Sequence, residues 1–152
     1  MSIGSGKDFG ILLNLAFQSF KNGLHQHLAK QGHDDLGSSY GYVLRLLEDE
    51  PLCLREVAEK LEMTAQGASK IINEMVSKGY VTRKPDAGDG RIARLVVTQR
   101  GARVVAIARD YHLQFEADLV RRLGKRRASA ARATLEEIVD SGESNWATAR
   151  PV

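Results

Sequence analysis

A chain of 152 residues, 43% hydrophobic and 27% charged, fits a single domain with a real core and has the composition of an ordinary globular protein. Its one cysteine, Cys53, excludes an intramolecular disulfide or a Cys-rich metal cluster. No apolar run approaches the roughly 18 residues of a membrane span, and Met1 to Lys7 lacks the basic-then-apolar pattern of a signal peptide, so a cytoplasmic protein with no membrane partner is expected.

From Asp8 to Lys30 the apolar residues Ile11, Leu12, Leu15, Ala16, Phe20, Leu24 and Leu28 recur at steps of three and four, which predicts a helix stopped by Gly32. Ser38 or Ser39 is placed to cap a second helix carrying Tyr42, Val43, Leu46 and Leu47 and ending before Pro51. Leu52-Cys53-Leu54 reads as a brief strand. Arg55 to Leu61 reads as a short helix, with Glu56 three residues after Cys53 at capping-box spacing. Glu62-Met63 is then a turn, Thr64 an N-cap, and Ala65 to Lys78 a helix with Ala68, Ile71, Ile72, Met75 and Val76 on its inner face, closed by Gly79.

The period then changes. Tyr80 to Lys84 alternates as a strand, Pro85 to Gly90 is turn chemistry, and Ile92 to Val97 returns, giving a β-hairpin with a charged tip. Thr98 caps a long helix to about Leu123 with Val104, Val105, Ala108, Tyr111, Phe115 and Leu119 as its apolar stripe. Gly124 breaks it, and Ala128 to Val139 is a last helix with Ala131, Leu135 and Ile138 at helical spacing. The expected fold is mainly α with a small β-hairpin: a winged helix-turn-helix lobe over 36–98, a helical dimerisation region over 8–32 and 99–140, and a tail over 141–152 that includes Trp146.

The net charge of +3 is unevenly spread. Between Thr64 and Arg100 seven basic residues face three acids, a net of +4, which leaves the remainder of the chain at −1. A cationic stretch on a near-neutral body is the footprint of a nucleic-acid face. In a helix-turn-helix the second helix enters the major groove, its N-terminal residues against base edges. Here that helix offers Thr64, Ala65, Gln66, Ser69, Lys70 and Asn73. Gln pairs bidentately with adenine, and Lys reaches guanine or phosphate. On the hairpin Arg83, Lys84, Arg91 and Arg94 suit minor-groove or phosphate contact, with Asp89 two residues from Arg91 to orient it.

The stretch Leu52 to Thr98 resembles the winged helix of the MarR family of bacterial regulators. The resemblance rests on Leu54-Arg55-Glu56-Val57-Ala58, the helix exit Lys78-Gly79-Tyr80-Val81, the wing tip Asp89-Gly90-Arg91 and the return strand Leu95-Val96-Val97-Thr98. The order of flanking helices extends it to about Asp8 to Asp140. It implies a homodimer, interlocked through the terminal helices, that binds a pseudo-palindromic operator in double-stranded DNA and represses. It also implies release by a small aromatic or phenolic effector or by an oxidant. Two positions depart from the pattern. Asp86-Ala87-Gly88-Asp89-Gly90-Arg91 lacks the first arginine of the usual Asp-x-Arg-Asp-x-Arg tip. Gly67 stands where Ser or Thr is common, at a cost of about 1 kcal/mol of helix stability relative to Ala.

Other features read more plainly. Cys53, flanked by Leu52 and Leu54 and with no second cysteine to resolve it, reads as a packed thiol. His25 and His27, two apart on a helix, point about 200° from each other and do not chelate together. Arg121, Arg122, Lys125, Arg126 and Arg127 read as a solvated helix end. Of Phe9, Phe17, Phe20, Tyr40, Tyr42 and Tyr111, most read as core and one or two as lining an effector cavity. With no nucleophile–base pairing, phosphate loop or metal-ligand spacing, neither enzymatic activity nor a cofactor is expected. The alternative reading is a winged-helix protein-interaction module that has lost DNA binding, motivated by Gly67 and the missing wing arginine.

Overall fold

The computed structural model describes residues 6–142. It divides into two compact units that meet in sequence between Leu36 and Gly37. The expected tail, Trp146 included, lies outside the described residues from position 143 onward. No helix among the described residues is long and apolar enough to cross a membrane.

The first unit is built on one helix, α1 (Phe9–Ala29), opened by Asp8 and ended at Lys30, with Gly32 taking a positive φ of 87° just beyond. Of the residues of α1 only Leu28 is buried. Phe9, Ile11, Leu12, Leu15 and Phe17 are all exposed. The apolar spacing thus marks a genuine helical stripe, but Phe9 and Phe17 are not core, because periodicity reports a face and not what covers it.

The second unit holds seven elements: α2 (Tyr40–Asp49), α3 (Leu54–Lys60), α4 (Ala65–Ser77), β1 (Val81–Pro85), β2 (Ala93–Val97), α5 (Gln99–Leu123) and α6 (Lys125–Asp140). The expected mainly α fold with a small hairpin is the one found. β1 and β2 form a two-stranded antiparallel sheet, with Val81 opposite Val97 and Pro85 opposite Ala93. The run at Leu52 contributes a single bridge to Leu95, whose N–H donates to the Leu52 carbonyl at 2.8 Å, so the hairpin is rooted beside the start of α3.

The core of this unit is apolar side chains contributed by every element but α6. Val43, Leu44 and Leu47 of α2, Val57 and Ala58 of α3, Ala68, Ile72 and Met75 of α4, Val81 and Leu95 of the hairpin and Val104 and Val105 of α5 are all buried. Of the inner face expected for α4, Ile71 and Val76 are only half-buried. Tyr40 is buried for a different reason from an effector-lining aromatic. Its hydroxyl donates to Glu74 at 3.3 Å and accepts from Lys78 Nζ at 3.0 Å, which seats the C-terminal half of α4 on α2.

Local chemistry sets the element ends. Thr64 Oγ1 accepts from the Gly67 amide at 3.0 Å, capping α4, and Thr98 Oγ1 does the same for the Gly101 amide at 3.1 Å, capping α5. α3 ends in a Schellman arrangement: the Met63 N–H reaches the Ala58 carbonyl at 2.8 Å, with Glu62 in the left-handed region at φ 50°. Ser39 precedes α2 but makes no side-chain cap bond. A Cβ at Gly101 would lie 2.3 Å from the Tyr80 carbonyl oxygen, so only glycine lets α5 start this close to the hairpin root.

The basic run differs from expectation. Arg121 and Arg122 do close α5, where the dipole favours cations. Gly124, with φ 82°, then lets α6 begin at once, so Lys125, Arg126 and Arg127 occupy a first helical turn where the dipole disfavours them. No residue of α6 is buried, and Leu135, Ile138 and Val139 are exposed.

Candidate nucleic-acid interface

α4 presents Thr64, Ala65, Gln66, Lys70 and Asn73 to solvent, with Ser69 half-buried between them. Thr64, Gln66, Gly67, Ser69, Lys70, Asn73 and Glu74 line a shallow open groove along this helix. Its opposite face, Ala68, Ile72 and Met75, is sealed into the core. The helix is therefore held rigidly by one side and offers small and polar groups on the other. At Gly67 an added Cβ would sit 3.1 Å from Thr64 Oγ1, so the absent side chain leaves the capping hydroxyl room.

Arg83 and Lys84 are exposed on β1. Arg83 does not hang free: its Nη2 donates to Asn73 Oδ1 at 2.6 Å, joining hairpin to helix. At the tip, Asp89 grips Arg91 three times, through Nε at 3.0 Å, Nη2 at 3.1 Å and the backbone N–H at 3.1 Å. The Arg91 side chain is nonetheless 91% exposed, so the pairing aims the guanidinium outward without hiding it. The Arg91 bond holds the Asp89 carboxyl below the usual carboxylate range.

Arg94 stands apart from the other basic residues. Its Nη1 donates to Glu56 Oε2 and its Nε to Asp86 Oδ1, each at 2.6 Å, and its side chain is 28% exposed. Glu56 also accepts from the Cys53 amide at 2.7 Å, the half of the capping box that its spacing foretold. Asp86 accepts from the Gly88 and Asp89 amides at 2.9 and 3.0 Å and so closes the tip turn. Sequence reasoning missed Glu56 and Asp86 as partners of Arg94; their acidic character beside a cationic hairpin is the one local signal, and it names no partner. Cys53 is half-buried at the head of α3, less enclosed than a packed thiol. Among the described residues no three His, Cys, Asp or Glu side chains group as a metal site.

A helix packed by one face, with an arginine-tipped hairpin beside it, is a winged helix-turn-helix, and residues 34–92 match the model of the MarR family. In its winged helix the chain is similar to the MarR family. Among curated proteins, the chain is similar to YpoP of Bacillus subtilis, an uncharacterized HTH-type transcriptional regulator. The two are 28% identical over 99 residues, which is 64% of this chain and 67% of that protein. Solved MarR-type structures share its fold. The reduced form of MarR from E. coli superposes with a TM-score of 0.71 at 19% identity, over 90% of this chain and 99% of that one. MepR of S. aureus in its DNA complex gives 0.70 at 21% identity, over 88% and 98%.

Proposed function

We propose that this chain is a DNA-binding transcriptional regulator, a repressor acting in the cytoplasm as a homodimer on a pseudo-palindromic operator. The observation that carries the reading is the pairing of an exposed α4 face (Gln66, Lys70, Asn73) with an Arg91 guanidinium aimed into solvent by Asp89. Gln66 supplies a bidentate hydrogen-bonding group for base edges, and Asn73, whose Oδ1 accepts from Arg83, offers its Nδ2 donor. Lys70, Arg83 and Lys84 supply charge for phosphates, and Arg91 is placed for a minor groove. The DNA complex of the similarly folded MepR supports the same use of the fold.

Two apolar surfaces support the dimer. α1 exposes Phe9, Leu12 and Leu15 on one helix, and α6 exposes Leu135, Ile138 and Val139 on another. Helices that present apolar side chains to water call for a partner, and a second copy suits a two-fold operator. A small aromatic or phenolic effector, acting on the spacing of the two recognition helices, is the ligand class to screen.

The test is selection of bound duplexes from a random pool, followed by affinity against salt. An inverted repeat should emerge, and log affinity should fall with log salt by about 0.9 per phosphate contacted. Arg91→Ala should weaken binding about tenfold. A flat salt response, or no selected duplex, would sink the reading and favour a protein-interaction module.

A further inference from the structure

We infer that Arg94 is a positioning residue and not a DNA contact: it pins the wing to the first helix of the helix-turn-helix through Glu56 and Asp86, and so sets where Arg91 points. This deepens the DNA-binding reading and rests on it for its functional consequence, but not for its geometry.

The side chains form an unbroken chain. The Cys53 amide and Arg94 Nη1 both donate to Glu56 Oε2, at 2.7 and 2.6 Å. Arg94 Nε donates to Asp86 Oδ1 at 2.6 Å. Asp86 Oδ2 accepts from the Asp89 amide at 3.0 Å, and Asp89 clasps Arg91. The planar guanidinium, with donors on separate edges, is the group that bridges two carboxylates at fixed angles. The backbone places it well, since Arg94 precedes the buried Leu95, whose amide anchors β2 to Leu52. One arginine thus joins a helix cap to a turn, near the tip end of the two-stranded ladder.

Charge argues the same way. A guanidinium flanked by two carboxylates is already compensated, and reaching a phosphate would require it to leave two charge-assisted bonds. The carboxylates stay ionised to hold it: Glu56 is kept below the usual range by the Cys53 amide first and by Arg94 besides, and Asp86 chiefly by Arg94. Arg91, 91% exposed against 28% for Arg94, is the arginine left to meet DNA.

The test compares Glu56→Gln, Arg94→Gln, Arg94→Lys, Arg91→Ala and the Arg94→Gln/Arg91→Ala pair, in the full chain. Gln at position 56 keeps an acceptor for the Cys53 amide and loses only the charge, so α3 stays capped. The first readout, without DNA, is amide hydrogen exchange over residues 86–92. Exchange should quicken several-fold in Glu56→Gln and Arg94→Gln, and less in Arg94→Lys, which can restore one of the two bonds. The second is affinity and salt slope on a duplex selected by the wild-type protein. Glu56→Gln should bind about fivefold more weakly although it removes a negative charge, and Arg94→Gln should add less than about twofold to Arg91→Ala. Unchanged wing exchange would overturn the inference. So would an Arg94→Gln that lowers the salt slope by about 0.9 per protomer and adds fully to Arg91→Ala, while Glu56→Gln binds more tightly. If the wild-type protein selects no duplex, the DNA reading fails, and wing exchange alone still decides whether the pin exists.

Discussion

Asn73 on α4 accepts a 2.6 Å hydrogen bond from Arg83 on β1, the first strand of the wing. The two residues lie on separate elements that both face the proposed duplex, so they should act as a unit. Asn73→Ala and Arg83→Ala are each expected to weaken duplex binding by about three- to tenfold, with the double variant well short of the product of the two. Fluorescence anisotropy on the four proteins of the cycle measures the coupling. Fully multiplicative losses would mean that the bond has no part in recognition.

At Gly101 there is no room for a side chain. An alanine there drives its Cβ to 2.3 Å from the Tyr80 carbonyl oxygen and 2.9 Å from Val97 Cγ1. Neither atom belongs to a flexible chain end, so α5 must shift. Gly101→Ala is expected to cost about 2–3 kcal/mol in urea unfolding, in spite of alanine's better helix propensity. A neutral result would show that the start of α5 moves freely.

Glu62 holds the turn between α3 and α4 at φ 50°, a conformation that costs an L-residue about 1–2 kcal/mol and glycine almost nothing. Against this stands the extra freedom glycine gives the unfolded chain, about 0.4–1 kcal/mol. Glu62→Gly should therefore stabilise by about 0.5–1 kcal/mol, read as a rise in urea midpoint at constant slope. A loss of stability would mean that the glutamate side chain offsets more strain than its backbone stores.

His112 provides a pH signature. Burial holds its imidazole below the ordinary histidine value of 6.5, with Arg45 across on α2 adding to the effect and Glu116 opposing it. The unfolded chain then takes up a proton that the folded chain resists. Stability should fall as pH drops through 6.5 and level off below the lowered folded value. His25 is shifted the same way by burial and Lys21, so the His25→Gln/His112→Gln variant should show a flatter profile than wild type between pH 7.5 and 5.5. An identical slope in both proteins would remove the histidines from the explanation.

Much of this architecture is legible in the chain because its signals are local. Thr64 and Thr98 sit three residues before the amides they cap, Glu56 three after the amide it accepts from, and Gly79 and Gly124 where a positive φ is needed. The pairing of Asp89 with Arg91 spans two residues and is foreseeable for the same reason. The Arg94–Glu56 bond joins residues 38 apart in sequence, and no periodicity announces it. Arg83 and Asn73 are closer in sequence but on elements whose relative twist composition does not encode. The start of α6 was hidden because charge density mimicked a helix end, while Gly124 makes the connection in a single residue. Gly101 looks like any early-helix glycine until the Tyr80 carbonyl is in place above it.

Helix α6 has sixteen residues, none of them buried, and opens on cations that oppose its own dipole. A segment of that length winds only marginally in water on its own, and its ties to α5 include the exposed Arg132–Glu116 ion pair. In the proposed homodimer its order is expected to depend on association: dilution below the dissociation constant should unravel residues 125–140 while the winged lobe stays intact, so that proteases nick the free protomer there first. Subunit concentration would in this way set the lifetime of the chain as well as its occupancy of DNA.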